Sequence, residues 1–389
     1  MLIGGGLQLA RHRLVVVFCV AILFGAAFAA FGSAAASPGS SLPGTRKIPA
    51  GFVTHGVVLD LGAPGSADSV YARLPNVLRD SDGTYKMWYS GFDGSRNRIL
   101  YATSTDGIAW TKHGVVIDVL ISPWNFDSLA SQSVMKIDGT YHMWFAAGYW
   151  NVPPAGSVQI YHATSADGAA WTVEDVALVH GTPGSWDSVT VHFPAVVRDS
   201  LGTYWLYFTG WDGSRYGVGV ARSTTFTNFT EGAGNPILRT GAQGDFDRSW
   251  TAPDTVLLNG TAWTLYYSGY DGNTTSVGTA TSFNGQNWTK SSQNPILTAT
   301  PSSSWESSGA DYAAYLRDPT GDRIYYDGSD GTHIRIGLLT QESSPPGGGE
   351  AGALYGFIVV PLAIVGSSGA VLGLLGWLIL RWPSRRAPR

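Results

Sequence analysis

The chain of 389 residues is long enough for one large domain or two ordinary ones. Only 13% of its residues are charged, whereas about 25% is usual in soluble domains, and its 50 glycines, 15 tryptophans and 18 tyrosines indicate many short strands and tight turns. The net charge of −4 gives no electrostatic basis for nucleic-acid binding, and the single cysteine, Cys19, leaves no disulfide within the chain.

Residues 1–36 have the pattern of a secretory signal peptide. Arg11 and Arg13 precede an apolar stretch, and Ala34 begins a run of small residues that suits cleavage. The apolar stretch is long for a signal peptide, so an uncleaved signal anchor is the alternative interpretation. Residues 37–50 are expected to form a linker.

An internal repeat dominates the middle of the chain, and such repeats indicate modular folds. In each copy an acidic residue follows an aromatic residue, or Ala67 in the first copy, and precedes Ser or Arg. Neighbouring copies of this acidic residue are 59 or 60 residues apart. Because the residue recurs, a turn-capping role is expected for the whole set. The five copies are Asp68, Asp127, Asp187, Asp247 and Glu306.

Each unit has the same internal order of strands and turns. An apolar run such as LPNVL (74–78) leads through a turn into an aromatic strand with period-two alternation, such as YKMWYSG (85–91). A third strand follows, in four units after an Asp-Gly hairpin turn, and a fourth begins near Trp110 or its equivalent. Four antiparallel strands per unit are typical of a propeller blade. The sequence predicts an all-β fold, a five-bladed β-propeller over residues 51–340.

The last unit lacks a fourth strand of its own. The segment THGVVLDL (54–61), which precedes the first unit, is similar to the fourth strand KHGVVIDV (112–119). The N-terminal segment is therefore predicted to supply the missing strand and to close the ring, which protects an edge that an open array would expose.

The C-terminal part predicts a membrane anchor. Residues 341–352 are rich in Pro and Gly and are expected to form a linker. Residues 353–380 carry no charge, and a helix of this length crosses a hydrocarbon core of about 30 Å. The basic tail, 381–389, is expected on the cytoplasmic side. The predicted localisation is the cell membrane, with a single-pass anchor and an extracytoplasmic propeller.

Two segments of the first unit carry a family resemblance, YKMWYSG (85–91) and YATSTDGIAWTK (101–112). With them the chain resembles the five-bladed glycosidase propellers of families 43 and 32, which include arabinanases, xylosidases and invertases, and their mannoside-phosphorylase relatives. The resemblance covers about residues 54–340 and implies a carbohydrate partner. The sequence has no nucleotide-binding loop and no His-rich metal motif, so neither a cofactor nor a metal is predicted.

Candidate site residues are those that break the repeat where the first strand of each blade is expected to line the central channel. The units align on Pro75, Pro194 and Pro253. Two residues before this position they carry Arg73, Ala130, His192, Thr251 and Asp311, and one residue after it they carry Asn76, Ser133, Ala195, Asp254 and Ala314. Four ionisable groups thus stand where other units have small or neutral residues, namely Arg73, His192, Asp254 and Asp311.

A glycosidase needs two carboxyl groups across the glycosidic bond, one as acid and the other as base or nucleophile. Asp254 and Asp311 are the predicted pair, with Arg73 to hold one of them ionised. The segment from Trp250 to Asp254 is similar to the Trp-Ala-Pro-Asp segment of family 43, where the Asp orients the acid and tunes its pKa. The general acid of that family is usually Glu, which makes Glu306 the third catalytic candidate.

Substrate binding is expected from axial polar groups and from aromatic rings at loop ends, which stack on sugar faces. The predicted binding residues are Arg73, His192, Asn76, Trp250, Trp186 and Tyr71. An axial channel lined by ion pairs is the structural alternative for the charged members of this set.

Three functions follow from these patterns. The first is a surface-anchored enzyme that hydrolyses or phosphorolyses oligo- or polysaccharides. The alternative is a non-catalytic propeller that binds glycans or proteins at the cell envelope. A sialidase-like enzyme ranks last because it would need an arginine cluster, and Arg73 is the only axial arginine in the alignment.

Overall fold

The computed structural model describes residues 46–120, 126, 128–149 and 157–341. All regular secondary structure in these ranges is β-strand. The predicted signal peptide, the predicted membrane-spanning segment, the basic tail and Asp127 lie outside the described residues. Within the described ranges no helix is long and apolar enough to span a membrane.

The strands form five antiparallel groups, numbered here as units one to five, and each group corresponds to one sequence repeat. Unit one consists of β2 (Tyr71–Arg79), β3 (Tyr85–Phe92), β4 (Asn97–Ser104) and β5 (Thr111–Ile117), and unit two of β6 (Ser128–Ile137), β7 (Thr140–Tyr149), β8 (Ser157–Ser165) and β9 (Thr172–Leu178).

The fourth strand is split into two short pieces in units three and four. Unit three consists of β10 (Thr190–Arg198), β11 (Tyr204–Trp211), β12 (Tyr216–Ser223), β13 (Thr230–Glu231) and β14 (Leu238–Arg239). Unit four consists of β15 (Trp250–Asn259), β16 (Ala262–Tyr270), β17 (Thr275–Ser282), β18 (Thr289–Lys290) and β19 (Leu297–Thr298). Unit five consists of β20 (Gly309–Leu316), β21 (Arg323–Ser329) and β22 (Ile334–Gln341), joined by β1 (Phe52–Leu59).

The units are arranged as a ring. Their first strands contact one another in the closed order β2, β6, β10, β15, β20 and back to β2. β1 pairs antiparallel with β22, with Val57 opposite Gly337, so a segment from before unit one completes unit five. This pairing confirms the predicted N-terminal closing strand. The fold is all-β and propeller-like.

A bulge interrupts each first strand close to the centre of the ring. In four units the bulge contains a left-handed residue, and none of the four is glycine. Such a conformation costs a side-chain-bearing residue roughly 1–2 kcal/mol, so the surrounding ring must enforce it. The four residues are Leu74 (φ 56°), Ser131 (φ 47°), Phe193 (φ 54°) and Tyr312 (φ 51°).

Unit four departs from this pattern because proline fixes φ near −65° and cannot be left-handed. The proline stands one residue earlier relative to the strand register there: Ala252, directly before it, lies opposite Ser268, and Thr255 lies opposite Tyr266. In unit one the matching pairs are Arg73 opposite Ser90 and Asn76 opposite Trp88. Alignment of the units on their prolines is therefore wrong by one residue in unit four. Ala252 and Thr255, not Thr251 and Asp254, are the structural equivalents of Arg73 and Asn76.

Three seams between units share one contact. An aromatic side chain in the second strand of one unit donates a hydrogen bond to a glycine carbonyl in the last turn of its neighbour. Each of these glycines has a positive φ, and a Cβ atom there would approach neighbouring side chains to 2.8 Å or less, so only glycine fits. The pairs are Trp88 Nε1–Gly168 O at 2.7 Å, Tyr207 Oη–Gly285 O at 2.9 Å and Tyr325 Oη–Gly107 O at 2.8 Å.

The repeated acidic residues tie the loop before each first strand to later strands of the same unit. Asp68 accepts hydrogen bonds from Tyr89 Oη at 2.9 Å and from Lys112 Nζ at 2.6 Å. Asp247 accepts one from Lys290 Nζ at 2.5 Å. These contacts join three parts of the unit, which goes beyond the turn-capping role expected from the sequence.

Unit three replaces the cation of this arrangement with a second carboxyl group. Glu231 lies opposite Ala221, as Lys112 lies opposite Ala102 and Lys290 opposite Ala280. Burial and the neighbouring Asp187 raise the pKa of Glu231 to about 7, although the Asn235 amide and the Trp186 indole donate to it. Unit three therefore retains a proton where units one and four hold a lysine.

The stability of unit three should fall with rising pH. A carboxyl group whose pKa is raised on folding binds more protons in the native state, so its contribution is present below the unfolded pKa near 4.5 and is lost as the pH rises through about 7. We expect Glu231→Lys to raise the free energy of unfolding at neutral pH by about 1 kcal/mol, because it restores the ion pair of units one and four. Urea titration of the full-length chain in detergent measures both effects.

Glu231→Gln serves as the control for the pH effect, since the amide keeps the shape and cannot ionise. Its unfolding free energy should vary less with pH than that of the native chain between the two pKa values. An unchanged pH slope in Glu231→Gln would show that this carboxyl pair does not hold the proton.

Candidate axial site

The five bulges enclose a small cavity at the centre of the ring. Its volume is ≈30 Å³, enough for about one water molecule but not for a sugar ring. Among the described residues that line the cavity, Asp254 is the only Asp, Glu, Lys, Arg or His. The lining residues are Leu74, Pro75, Ser131, Gln132, Phe193, Pro194, Pro253, Asp254, Tyr312, Ala313 and Ala314.

Asp254 uses its carboxyl group to join units four and five. Both carboxylate oxygens lie 2.9 Å from Ser268 Oγ, and Oδ2 accepts a hydrogen bond from the Ala313 backbone N–H at 3.1 Å. Burial raises the pKa of Asp254 well above its usual range, against the opposing effect of these hydrogen bonds. The Asp254 carboxyl group therefore links units four and five, a role called the strap role below. The cavity that it reaches is too small to hold a glycosidic bond.

A second group of charges lies where units one and five meet. Asp311 stands opposite Asp327 across β20 and β21. The Leu74 backbone N–H donates to both oxygens of Asp327, at 2.8 and 3.0 Å. Arg73 and Asp327 are buried, with 4% and 1% of their surface exposed, whereas Asp311 is half-buried. Asp311 is thus the carboxyl group of this cluster that solvent reaches.

The cluster holds protons because one cation faces several carboxyl groups. Burial raises the pKa of Asp311 to about 7, although a hydrogen bond with Thr275 and the charge of Arg73 both lower it. Burial, with the nearby charge of Asp311, raises the pKa of Asp327 well above its usual range. At neutral pH Asp311 is therefore poised between its two protonation states.

Asp327 was missed by the sequence analysis, which compared only first strands. It precedes Gly328 in the second strand, where the other units carry Ser90, Thr209 and Ser268 before the equivalent glycine. The same rule, that a charged residue breaks a repeat of small polar ones, would have found it.

Aromatic rings lie at the end of the ring of units where the first strands begin. Trp250 lies 5.6 Å from Phe193 and 5.9 Å from Tyr312 between ring centroids. Tyr71 stacks on Phe92 at 5.3 Å, and the Arg73 guanidinium lies 5.5 Å from the Tyr71 centroid. Trp250 and Tyr71 are half-buried, so they offer the partly exposed faces on which sugar rings stack.

His192 and Asn76 are near the axis but have structural partners. His192 is 5% exposed, and burial lowers its pKa to about 3, so it is neutral at physiological pH. Asn76 Oδ1 accepts a hydrogen bond from the Val134 backbone N–H at 3.2 Å, and Ser133 Oγ receives an equivalent bond from Val196 at 3.0 Å. Asn76 thus joins units one and two.

The contacts that Glu306 and Trp186 make do not bring them to the axial cluster. Glu306 is 2% exposed and accepts hydrogen bonds from Tyr326 Oη at 2.8 Å and Thr300 Oγ1 at 2.7 Å, with Arg46 Nη2 at 3.2 Å. It is the unit-five copy of the acidic residue that ties the loop to the later strands. Trp186 packs over Gly210 and Gly219 of its own unit. The predicted roles of both residues in catalysis and binding find no support in this geometry.

Comparison with known proteins gives relatives of one part of the chain. No family model matches. Two uncharacterized proteins of Mycobacterium tuberculosis, from strains CDC 1551 / Oshkosh and ATCC 25618 / H37Rv, are each 34% identical over 157 residues. The match covers 38% of this chain and 49% of each relative, so the chain spans about half the length of the curated relatives it matches.

Solved structures share the fold over most of the chain. A glycoside hydrolase aligns with a TM-score of 0.61 at 16% identity, over 76% of this chain and 94% of its own. A member of the family 130 mannoside phosphorylases, described with hydrolases of β-1,2-mannosidic linkages in Candida mannan, aligns at 0.59 and 16%, over 78% and 95%. The family 117 hydrolase Zg3597 of Zobellia galactanivorans aligns at 0.58 and 16%, over 76% and 91%. At this identity the likeness establishes a propeller-like fold that this chain shares with these proteins, and not an activity.

The strap role of Asp254 predicts an effect on stability. Asp254→Ala leaves the Ala313 N–H and the Ser268 hydroxyl without their acceptor, and an unmatched buried group costs about 1–3 kcal/mol. Asp254→Asn keeps an oxygen acceptor and should cost less. Urea titration of the full-length chain measures the difference between the two variants. If both variants lost an equal and negligible amount of unfolding free energy, the strap role of Asp254 would be wrong.

Proposed function

We propose that this protein is a glycosidase-like, five-bladed propeller that acts on oligo- or polysaccharides at the end of the ring where the first strands begin. The observation that carries this proposal is Asp311, a half-buried carboxyl group with a pKa of about 7, set beside Arg73, whose guanidinium lies over the half-buried ring of Tyr71. The glycosidase-type fold supports a carbohydrate substrate.

Asp311 has the properties of a general acid. A carboxyl group with a pKa near 7 keeps a useful fraction of its proton at neutral pH, and it can deliver that proton to the leaving oxygen of a glycosidic bond. Burial favours the protonated form of Asp311, and Asp327, fixed by the Leu74 N–H, stands opposite it across β20 and β21. Arg73 balances this effect and keeps the pKa of Asp311 within the physiological range.

We also propose that the propeller is displayed outside the cell, anchored by residues 353–380. This rests on the uncharged length of that segment and on the arginines that follow it. Polysaccharide is an extracellular substrate, so the proposed activity and the proposed location agree.

A non-catalytic glycan-binding propeller is the second candidate. The observation that favours it is the state of Asp254, whose oxygens are engaged by Ser268 and Ala313 and cannot act as base or nucleophile in this arrangement. Such a protein would use Tyr71 and Trp250 as stacking surfaces without cleaving the bound sugar.

Turnover of aryl glycosides and natural oligosaccharides, with and without phosphate, tests the proposal on the full-length chain in detergent. We expect Asp311→Asn to lower kcat at least 100-fold, because an amide cannot donate the acid proton. In the native chain kcat/KM should fall as the pH rises through about 7, where Asp311 loses its proton. Asp175→Asn, an exposed carboxyl on β9, is the matched control and should leave turnover unchanged.

Two results would contradict this proposal. One is full activity in Asp311→Asn. The other is the absence of turnover by the native chain together with binding on a glycan array, which would establish the second candidate instead.

A further inference from the structure

A groove on unit four, outside the axial site, has the dimensions of a ligand site. Its volume is ≈700 Å³, within the range of about 300–1,000 Å³ usual for small-molecule sites. It lies between the loop that precedes β15, the turn that splits the fourth strand of unit four, and the loop that precedes β20. Lys47, from the segment before β1, also lines it.

The floor of the groove is fixed by hydrogen bonds within the protein. Lys290 Nζ donates to Asp247 Oδ2 at 2.5 Å and to the Arg239 carbonyl at 2.8 Å. Asn294 Nδ2 donates to Tyr267 Oη at 3.1 Å and to a backbone carbonyl of β17. These bonds pre-organise the floor, so a ligand would pay little to order it.

The walls carry hydrogen-bonding groups that the protein leaves unused. Four hydroxyl groups and the Lys47 ammonium have no hydrogen-bond partner among residues 46–120, 126, 128–149 and 157–341. Ser276 is notable among them because it is 5% exposed, so its hydroxyl faces the groove and little else. The four hydroxyl groups belong to Thr274, Ser276, Ser292 and Ser307.

Two carboxylates at the rim each have one oxygen left to accept. Asp245 binds the Ala242 N–H through Oδ2 only. Asp271 binds the backbone N–H groups of Asn273 and Thr274 through Oδ1 only. The remaining oxygens can each accept a hydrogen bond from a ligand hydroxyl group.

The charge and polarity of the groove select against anions and apolar ligands. Two lysines and three aspartates line it, so it has no strong field of either sign. Hydroxyl groups, an ammonium and carboxylates supply donors and acceptors side by side. A ligand whose own hydroxyl groups both donate and accept, without a net charge, matches this lining best.

We infer that this groove binds a segment of a neutral oligosaccharide, as an accessory site beside the axial one. The inference rests on the proposed function, since it takes the substrate to be a glycan. The two sites open at the same end of the ring: Tyr270, just before the Asp271 turn, lies opposite Trp250 at the start of β15. A long glycan chain can therefore engage the groove while another part of it lies over Asp311.

The test is affinity electrophoresis of the full-length chain, in detergent, through gels that contain arabinan, mannan, xylan or dextran. Ser292→Trp places a bulky ring on an exposed wall position and should weaken retardation by a neutral polysaccharide at least tenfold. Ala233→Trp is the matched control, because Ala233 occupies the same position in the turn before Asn235-Pro236 that Ser292 occupies before Asn294-Pro295. It should bind like the native chain.

Asp311→Asn separates this inference from the proposed function. Retardation that survives in Asp311→Asn but is lost in Ser292→Trp supports the groove, whether or not the native chain turns over a substrate. If the native chain turns over a substrate and Ser292→Trp has no effect on retardation, the inference about the groove is wrong and the proposed function stands. Retardation of the native chain by none of the four polysaccharides, or by anionic polygalacturonate alone, also overturns it.

Discussion

The bulge in each first strand is the constraint on which the rest of this structure depends. Five strands meet at the centre of the ring, and four of them bend there through a residue that is forced into the left-handed region. The bulges bring five short segments together around a cavity of ≈30 Å³, which closes the middle of the ring. Because the centre is closed, the charged groups that could act on a ligand lie at the end of the ring where the first strands begin.

Proline breaks the pattern in one unit and changes the chemistry of the centre. Pro253 cannot be left-handed, and the residue after it, Asp254, lines the cavity at the position where its equivalents are Pro75 and Pro194. The carboxyl group then finds a hydroxyl and a backbone N–H to bind. One unit thus has a half-buried acid between units four and five, and its hydrogen bonds make it structural.

Much of the architecture could be predicted from the sequence because it depends on repetition. The period, the order of strands and the closing role of the segment that contains Val57 all follow from patterns that recur. The site could be predicted only in part, because its residues are the exceptions. Alignment on the prolines misplaced Asp254 by one position, since the sequence does not reveal which φ a bulge adopts.

Glu306 shows the opposite error. It differs from the four aspartates of its set, and that difference suggested chemistry. In the structure Glu306 accepts hydrogen bonds from Tyr326 and Thr300, as Asp68 accepts one from Tyr89, and its cation comes from Arg46, outside the repeat. A residue that breaks a repeat can have a function of its own, or it can make the same structural contact with a different side chain. Only the residues that surround it in the structure distinguish these two cases.

At the seam between units one and five, neighbouring residues contribute both to stability and to the proposed chemistry. The Leu74 N–H binds Asp327 across 253 residues of sequence, so this contact helps to join the first unit to the last. Placing Asp311 beside it adds a second carboxyl group, while Arg73 supplies a single positive charge. The buried Asp327 and the half-buried Asp311 face one guanidinium and cannot both ionise without a large electrostatic cost, so one proton is retained. Asp311 is the member that solvent reaches, so it is the group through which that proton can be exchanged or transferred.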